Sequence, residues 1–278
     1  MLGRARVRGA GRMTARTDGL PALPDRLWRA ARGWALAWWR IVHLGAVVAV
    51  LMLSPSSYGR ATRARLARHM YLDTAPILLG FTALAALLCL VITRIVVVTA
   101  LSYGLSRYAL EMVVRVLVLE LIPLTAALFV ALRTTIPGGT QLALLRLSGH
   151  WEALRARGAD PVRVELLPRV VAGIYACITL AALSCVVALV MAYLGVYGAN
   201  TAGLPAYTRM FGQVFTPPVT LVFALKTLLF SLAVALIPMA AGLHATGDPR
   251  ARSELGGFAR MFAVLLLIEV ASLMGNYY

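Results

Sequence analysis

Five long apolar stretches, at 74–101, 109–132, 170–196, 219–243 and 258–274, dominate this 278-residue chain. A helix needs about 20 apolar residues to cross the hydrocarbon of a bilayer. Only structures that satisfy their own backbone hydrogen bonds can stay there. The five stretches therefore predict an all-α integral membrane protein with five transmembrane helices. Composition agrees, since 60% of residues are hydrophobic, against roughly 45–50% in soluble domains.

Charge sets the expected orientation. The net charge is +16, and 26 arginines and a single lysine carry the positive side. Thirteen of those arginines fall in residues 1–68. In a multi-span protein such a terminus marks the cytoplasmic side and anionic headgroups rather than nucleic acid. The segments 146–169 and 244–260 are also basic, whereas 102–108 and 197–218 carry only Arg107 and Arg209. The N-terminus is thus expected inside and, after five spans, the C-terminus outside.

Residues 1–26, rich in Arg, Gly and Pro, read as a disordered basic tail. Residues 27–58 combine Trp28, Trp34, Trp38 and Trp39 with four nearby arginines before an apolar run of only 13 residues, Ile41 to Leu53. That pairing favours an interfacial amphipathic helix over a sixth crossing. Residues 59–278 then form the membrane domain. The 197–218 loop is expected to hold a short helix on the outer surface. The cysteines, Cys89, Cys177 and Cys185, all sit in apolar runs and read as small buried residues.

Ionisable groups inside spans cost about 2.5–3.5 kcal/mol each on insertion scales. Glu111 and Arg115 are four apart on one helical face and are expected to pair as a structural unit. Glu120, Lys226 and Glu269 are different, because each lies deep in a separate predicted span without a same-helix partner. Pairing across helices would bring the second, fourth and fifth spans around one polar spot. That spot reads equally as a register-fixing clamp and as the charged lining of a cavity.

The longest polar interruption is 146–173, RLSGHWEALRARGADPVRVELLPRVVAG. Its inner part, 149–158, reads as a short helix stopped at Gly158, and Asp160-Pro161 turns the chain into the next span. By residues alone the plainer reading is a solvated loop. The alternative is a helix that docks a soluble partner.

The pattern W-E-A-L-x-x-x-G-x-D-P-V-R-x-x-x-x-P-R-V-x-A-G, running from Trp151 to Gly173, resembles the MlaE/YrbE permeases. These are membrane subunits of ABC systems that move lipids alongside MCE-domain proteins. The resemblance implies that 149–158 is a coupling helix, with Gly149, His150, Trp151, Glu152, Leu154, Arg155, Arg157 and Asp160 facing an ABC ATPase. It also implies that Glu120, Lys226 and Glu269 lie close together beneath a lipid cavity. The implied assembly is a homodimer in the bacterial inner membrane, passing phospholipid to or from a periplasmic MCE-type carrier. ATP and Mg would bind the partner ATPase, and this chain would hold no cofactor.

The chain departs from the family pattern in places. Leu119 stands for the family Arg before Glu120, Ile122 for a Gly, Gln141 for a Glu, Gly149 for a Glu and Glu152 for an Asp. Pro137-Gly138-Gly139 is expected to kink or break a helix that is continuous in the family. The lost arginine leaves Lys226 as the one cation matched to two acids.

No nucleotide-binding Gly-Lys-Ser/Thr, H-E-x-x-H, C-x-x-C or G-x-S-x-G motif occurs, and the four histidines show no metal-ligand spacing. An enzyme is not expected. Two other readings compete with the phospholipid permease. One is a half-permease in a heterodimer importing sterol or another apolar substrate. The other is a membrane scaffold that transports nothing.

Overall fold

The computed structural model describes residues 23–55, 58–104, 111–244 and 252–277. The described residues are almost wholly helical. We number the helices α1 (Leu23–Leu53), α2 (Arg60–Ser102), α3 (Glu111–Leu147), α4 (His150–Ala156), α5 (Val162–Tyr197), α6 (Leu204–Val214), α7 (Pro217–Leu243) and α8 (Arg252–Tyr277).

Six of these helices are long and apolar enough to cross a membrane, the five expected ones and the segment Ala31–Leu53 of α1. The apolar run of 41–53 looked too short because the tryptophans before it were set aside as interfacial. The unbroken helix joins the two into one apolar segment. The expected tail at 1–26 lies outside the described residues up to 22, and α1 already begins at Leu23.

Two compact units divide the chain, residues 1–40 and 41–278. In the first, Trp34 and Trp38 meet edge to face at 5.8 Å, while Trp28 and Trp39 are exposed. In the second, α2 packs along α5, and α7 packs against α5, α8 and the last third of α3. Leu44, Val48 and Leu51 of α1 are buried with Leu142, Trp151, Leu167 and Met239. The short helix α6 caps the opposite end through Val214, and Tyr207 Oη donates to Leu189 O at 2.9 Å. Burial pushes that phenol up to about 12.

Three stretches wind as π-helical turns: Val114–Leu121, Ala131–Thr135 and Val162–Leu166. Each stops two residues before a proline, Pro123, Pro137 or Pro168. A proline has no N–H for the carbonyl four residues back and clashes with it in a regular helix. Widening the preceding turn moves that carbonyl aside and re-pairs the backbone. Thus the N–H of Ile136 bonds to Ala131 O, five residues back.

The expected break at Pro137-Gly138-Gly139 therefore does not occur, and α3 runs on to Leu147. The glycines serve helix packing instead. A Cβ on Gly139 would lie 2.6 Å from Pro238 O, and one on Gly242 would lie 2.1 Å from Gly139 O. Bare backbones of α3 and α7 touch here, as small residues allow between membrane helices.

Gly242→Ala should destabilise the protein by about 1–3 kcal/mol, the usual cost of overpacking. Gly80→Ala, where a Cβ meets nothing within 4 Å, is the control. Thermal unfolding in detergent should show a lower midpoint for the first only.

Candidate functional site

On α7, Lys226, Phe230, Ala233, Val234 and Ile237 recur at helical spacing and are all buried. The stripe is a core-facing one, and Lys226 occupies a position where a hydrophobic residue would normally stand. It is 2% exposed. Its ammonium reaches both expected acids. Nζ donates to Glu120 Oε2 on α3 and lies 2.9 Å from Glu269 Oε2 on α8. The Glu269 contact is close but not aligned as a hydrogen bond.

Backbone chemistry completes the cage. Pro123 cannot donate to the carbonyl of Leu119, four residues back. That oxygen accepts from Lys226 Nζ at 3.2 Å. The Phe230 ring lies below, 5.7 Å from centroid to Nζ, within cation–π range. Asn276 Nδ2 donates to Glu120 Oε1 at 3.3 Å. Lys226 thus joins three helices, α3, α7 and α8, at one point.

Asn276 and the Leu119 carbonyl were not anticipated. Asn276 lies two residues from the end of the sequence and past the last apolar stretch, so nothing local marked it. The carbonyl was readable in principle, because a proline at 123 always leaves the oxygen at 119 without its helical donor.

At one end of the molecule, α4 hangs between two glycines with left-handed backbone, Gly149 (φ 75°) and Gly158 (φ 73°). A side chain at either position would strain the backbone. The pair lets a seven-residue helix leave α3 and turn back into α5. Asp160 Oδ1 accepts from the Val162 N–H at 3.0 Å and starts α5, as an N-terminal cap does.

The coupling residues divide by face. Trp151 is buried at 7% exposure and belongs to the core with Leu142, Leu166 and Leu243. Gly149, Glu152, Arg155, Arg157 and Asp160 are exposed, and His150 and Leu154 are partly so. Glu165, which was not singled out as a site residue, ties α4 to α5. Its Oε1 lies 3.6 Å from His150 Nε2, and its Oε2 accepts from Arg169 Nη1 at 2.6 Å. The four-residue spacing of Glu165 and Arg169 was the available signal. Arg146 Nη1 donates to Leu243 O and binds the end of α3 to the end of α7. Elsewhere, Arg115 Nε pairs with Glu111 Oε1 at 3.0 Å, apart from the Lys226 cluster.

No group of three or more His, Cys, Asp or Glu side chains suited to a metal occurs among the described residues. A search of curated proteins found no match. The family model described as Permease MlaE matches residues 66–274, well over half of the chain. The chain belongs to the MlaE permease family. It is therefore a multi-pass membrane protein and a transporter membrane subunit. The match covers α4 and the parts of α3, α7 and α8 that carry Glu120, Lys226 and Glu269, begins after α1 and ends before Asn276.

Removing one member of a buried ion pair costs about 3–5 kcal/mol, whereas removing the charges together is often neutral. Lys226→Met should therefore sharply lower the thermal midpoint of the MlaE permease in detergent. Adding Glu120→Gln and Glu269→Gln should restore most of it. A triple variant as unstable as the single one would show that something other than charge balance is lost.

Proposed function

We propose that this permease is the membrane subunit of an ABC system moving phospholipid between the inner membrane of a bacterium and a periplasmic MCE-type carrier. A separate ATPase docks at α4 and supplies ATP hydrolysis, with its own Mg. Two permease copies form a homodimer, because two ATPases need two membrane halves. The N-terminus lies in the cytoplasm and the C-terminus in the periplasm, with the interfacial helix expected over 27–58 lying in the headgroup region on the inner side.

The observation that carries this reading is the mounting of α4. A short helix with an exposed polar face is held rigidly from behind by Trp151 and laterally through Glu165. A lever of this kind transmits a push from a soluble partner into α5 and the helices packed on it. Glu120, Lys226 and Glu269 are the fixed point below the cavity about which those helices shift.

The two faces of α4 have separable roles. Glu152→Ala removes an exposed contact and should leave folding intact. It should weaken ATPase association by about tenfold, the loss expected for one well-placed interface charge. Trp151→Ala empties a core site, at about 3–5 kcal/mol, and should lower stability as well as uncouple hydrolysis from lipid movement.

Affinity purification of the tagged permease in mild detergent, with mass spectrometry of proteins and lipids, tests the whole assembly. An ATPase, an MCE-domain protein and phospholipid should co-purify. Sterol in place of phospholipid, with a second and different permease chain, would favour a heterodimeric importer. A permease dimer alone, with Glu152→Ala silent in every assay, would make the protein a scaffold.

A further inference from the structure

A cavity of about 340 Å³ opens at the α4 end of the membrane domain, away from Lys226. It lies among α2, the second half of α3 and the start of α5. His69, Asp73, Arg133, Gln141 and Arg169 supply its polar wall. We infer that this cavity binds the zwitterionic headgroup of an aminophospholipid from the inner leaflet, with Arg133 taking the phosphate and Asp73 the ammonium.

Charge bookkeeping points to a zwitterion. Arg169 is already matched, because its guanidinium holds Glu165 at 2.6 Å. Arg133 and Asp73 are less fully matched. Neither makes a close ion pair with another described residue, although Asp73 lies within electrostatic reach of His69 and Arg169 on the same wall. The cavity therefore presents a cation, Arg133, and a carboxylate, Asp73, that no base touches directly, with charges of both signs on one wall. An anionic headgroup would leave Asp73 facing a like charge, and a neutral one would leave both charges unmet.

Depth points to a lipid rather than a soluble ligand. The 43 residues of α2 make a helix about 65 Å long, roughly twice the hydrocarbon thickness. Its charged residues up to Asp73 all fall in the first third, and the next is Arg94. Asp73 thus stands where water gives way to hydrocarbon, at headgroup level. Leu72, on the cavity wall itself, is 51% exposed, and Leu79 two turns further on is 83% exposed. The mouth therefore opens beside the apolar face along which acyl chains run. The volume is at the small end of ligand sites, which span about 300–1,000 Å³. That suits a headgroup with its chains left outside.

The site needs only membrane embedding and stands whether or not the protein transports lipid. Full-length protein is reconstituted in nanodiscs of equimolar phosphatidylethanolamine, phosphatidylglycerol and phosphatidylcholine, and retained lipid is read by native mass spectrometry. Phosphatidylethanolamine should be retained over phosphatidylglycerol. Asp73→Asn should reduce that preference by about tenfold, the loss of one charge-assisted hydrogen bond. Arg133→Gln should lower retention of all three lipids. An unchanged ratio in Asp73→Asn, or preferred retention of phosphatidylglycerol, overturns the proposal.

Wild-type protein gives an arm independent of folding. Phosphatidylethanolamine carrying a photoreactive group near the headgroup should label the peptide containing Leu72 and Asp73. Absence of that label overturns the site. Soluble phosphoethanolamine in excess should not displace the bound lipid. Binding of soluble phosphoethanolamine with no lipid retained would assign the cavity to a free phosphate compound and overturn the lipid assignment.

Discussion

An ammonium group in the middle of a membrane helix must be neutralised locally, and that requirement organises the centre of this protein. Lys226 sits on the buried stripe of α7, where turning outward would swap the whole stripe into lipid. It reaches Glu120 on α3 and Glu269 on α8, and a backbone carbonyl freed by Pro123. Three helices are thereby fixed in depth and rotation at one point. Hydrophobic burial cannot do this in a bilayer, because lipid is as apolar as the helix surfaces. Leu119 contributes its carbonyl, and Asn276 supplies a further donor to Glu120.

Prolines and glycines carry the second organising constraint. Three prolines in α3 and α5 each follow a widened turn, so the helices continue where a rigid reading would end them. A widened turn also rotates the residues beyond it, and Glu120 lies within one such turn. The glycines of α3 and α7 bring two backbones into contact at the α4 end. Close contact of this kind stiffens the α4 end.

Charge is handled differently at that end. Around α4 the acids and bases are partly exposed, and His150, Glu165 and Arg169 form a chain from the surface helix to the wall of a polar cavity. Surface pairs of this kind are worth little in stability. They connect the exposed helix α4 to the wall of the polar cavity. A push on α4 and a lipid headgroup beside α2 would meet at the same arginine.

Much of this was legible in the chain itself. Apolar length determined the five crossings, and the polar interruption from Trp151 to Gly173 marked both the short helix and the family, because those features depend on local composition and spacing. The meeting of Glu120, Lys226 and Glu269 followed from the cost of a lone charge in hydrocarbon. What only the tertiary structure decided depends on neighbours distant in sequence. The Pro137 glycines proved to be a contact pad because Pro238 and Gly242 lie against them. Trp151 turned inward because Leu142 and Leu243 make a site for it. Asp73 and Arg133, sixty residues apart in sequence, share a cavity because α2 and α3 meet there. No local pattern encodes which distant residue fills a gap, and that information arises when the helices pack.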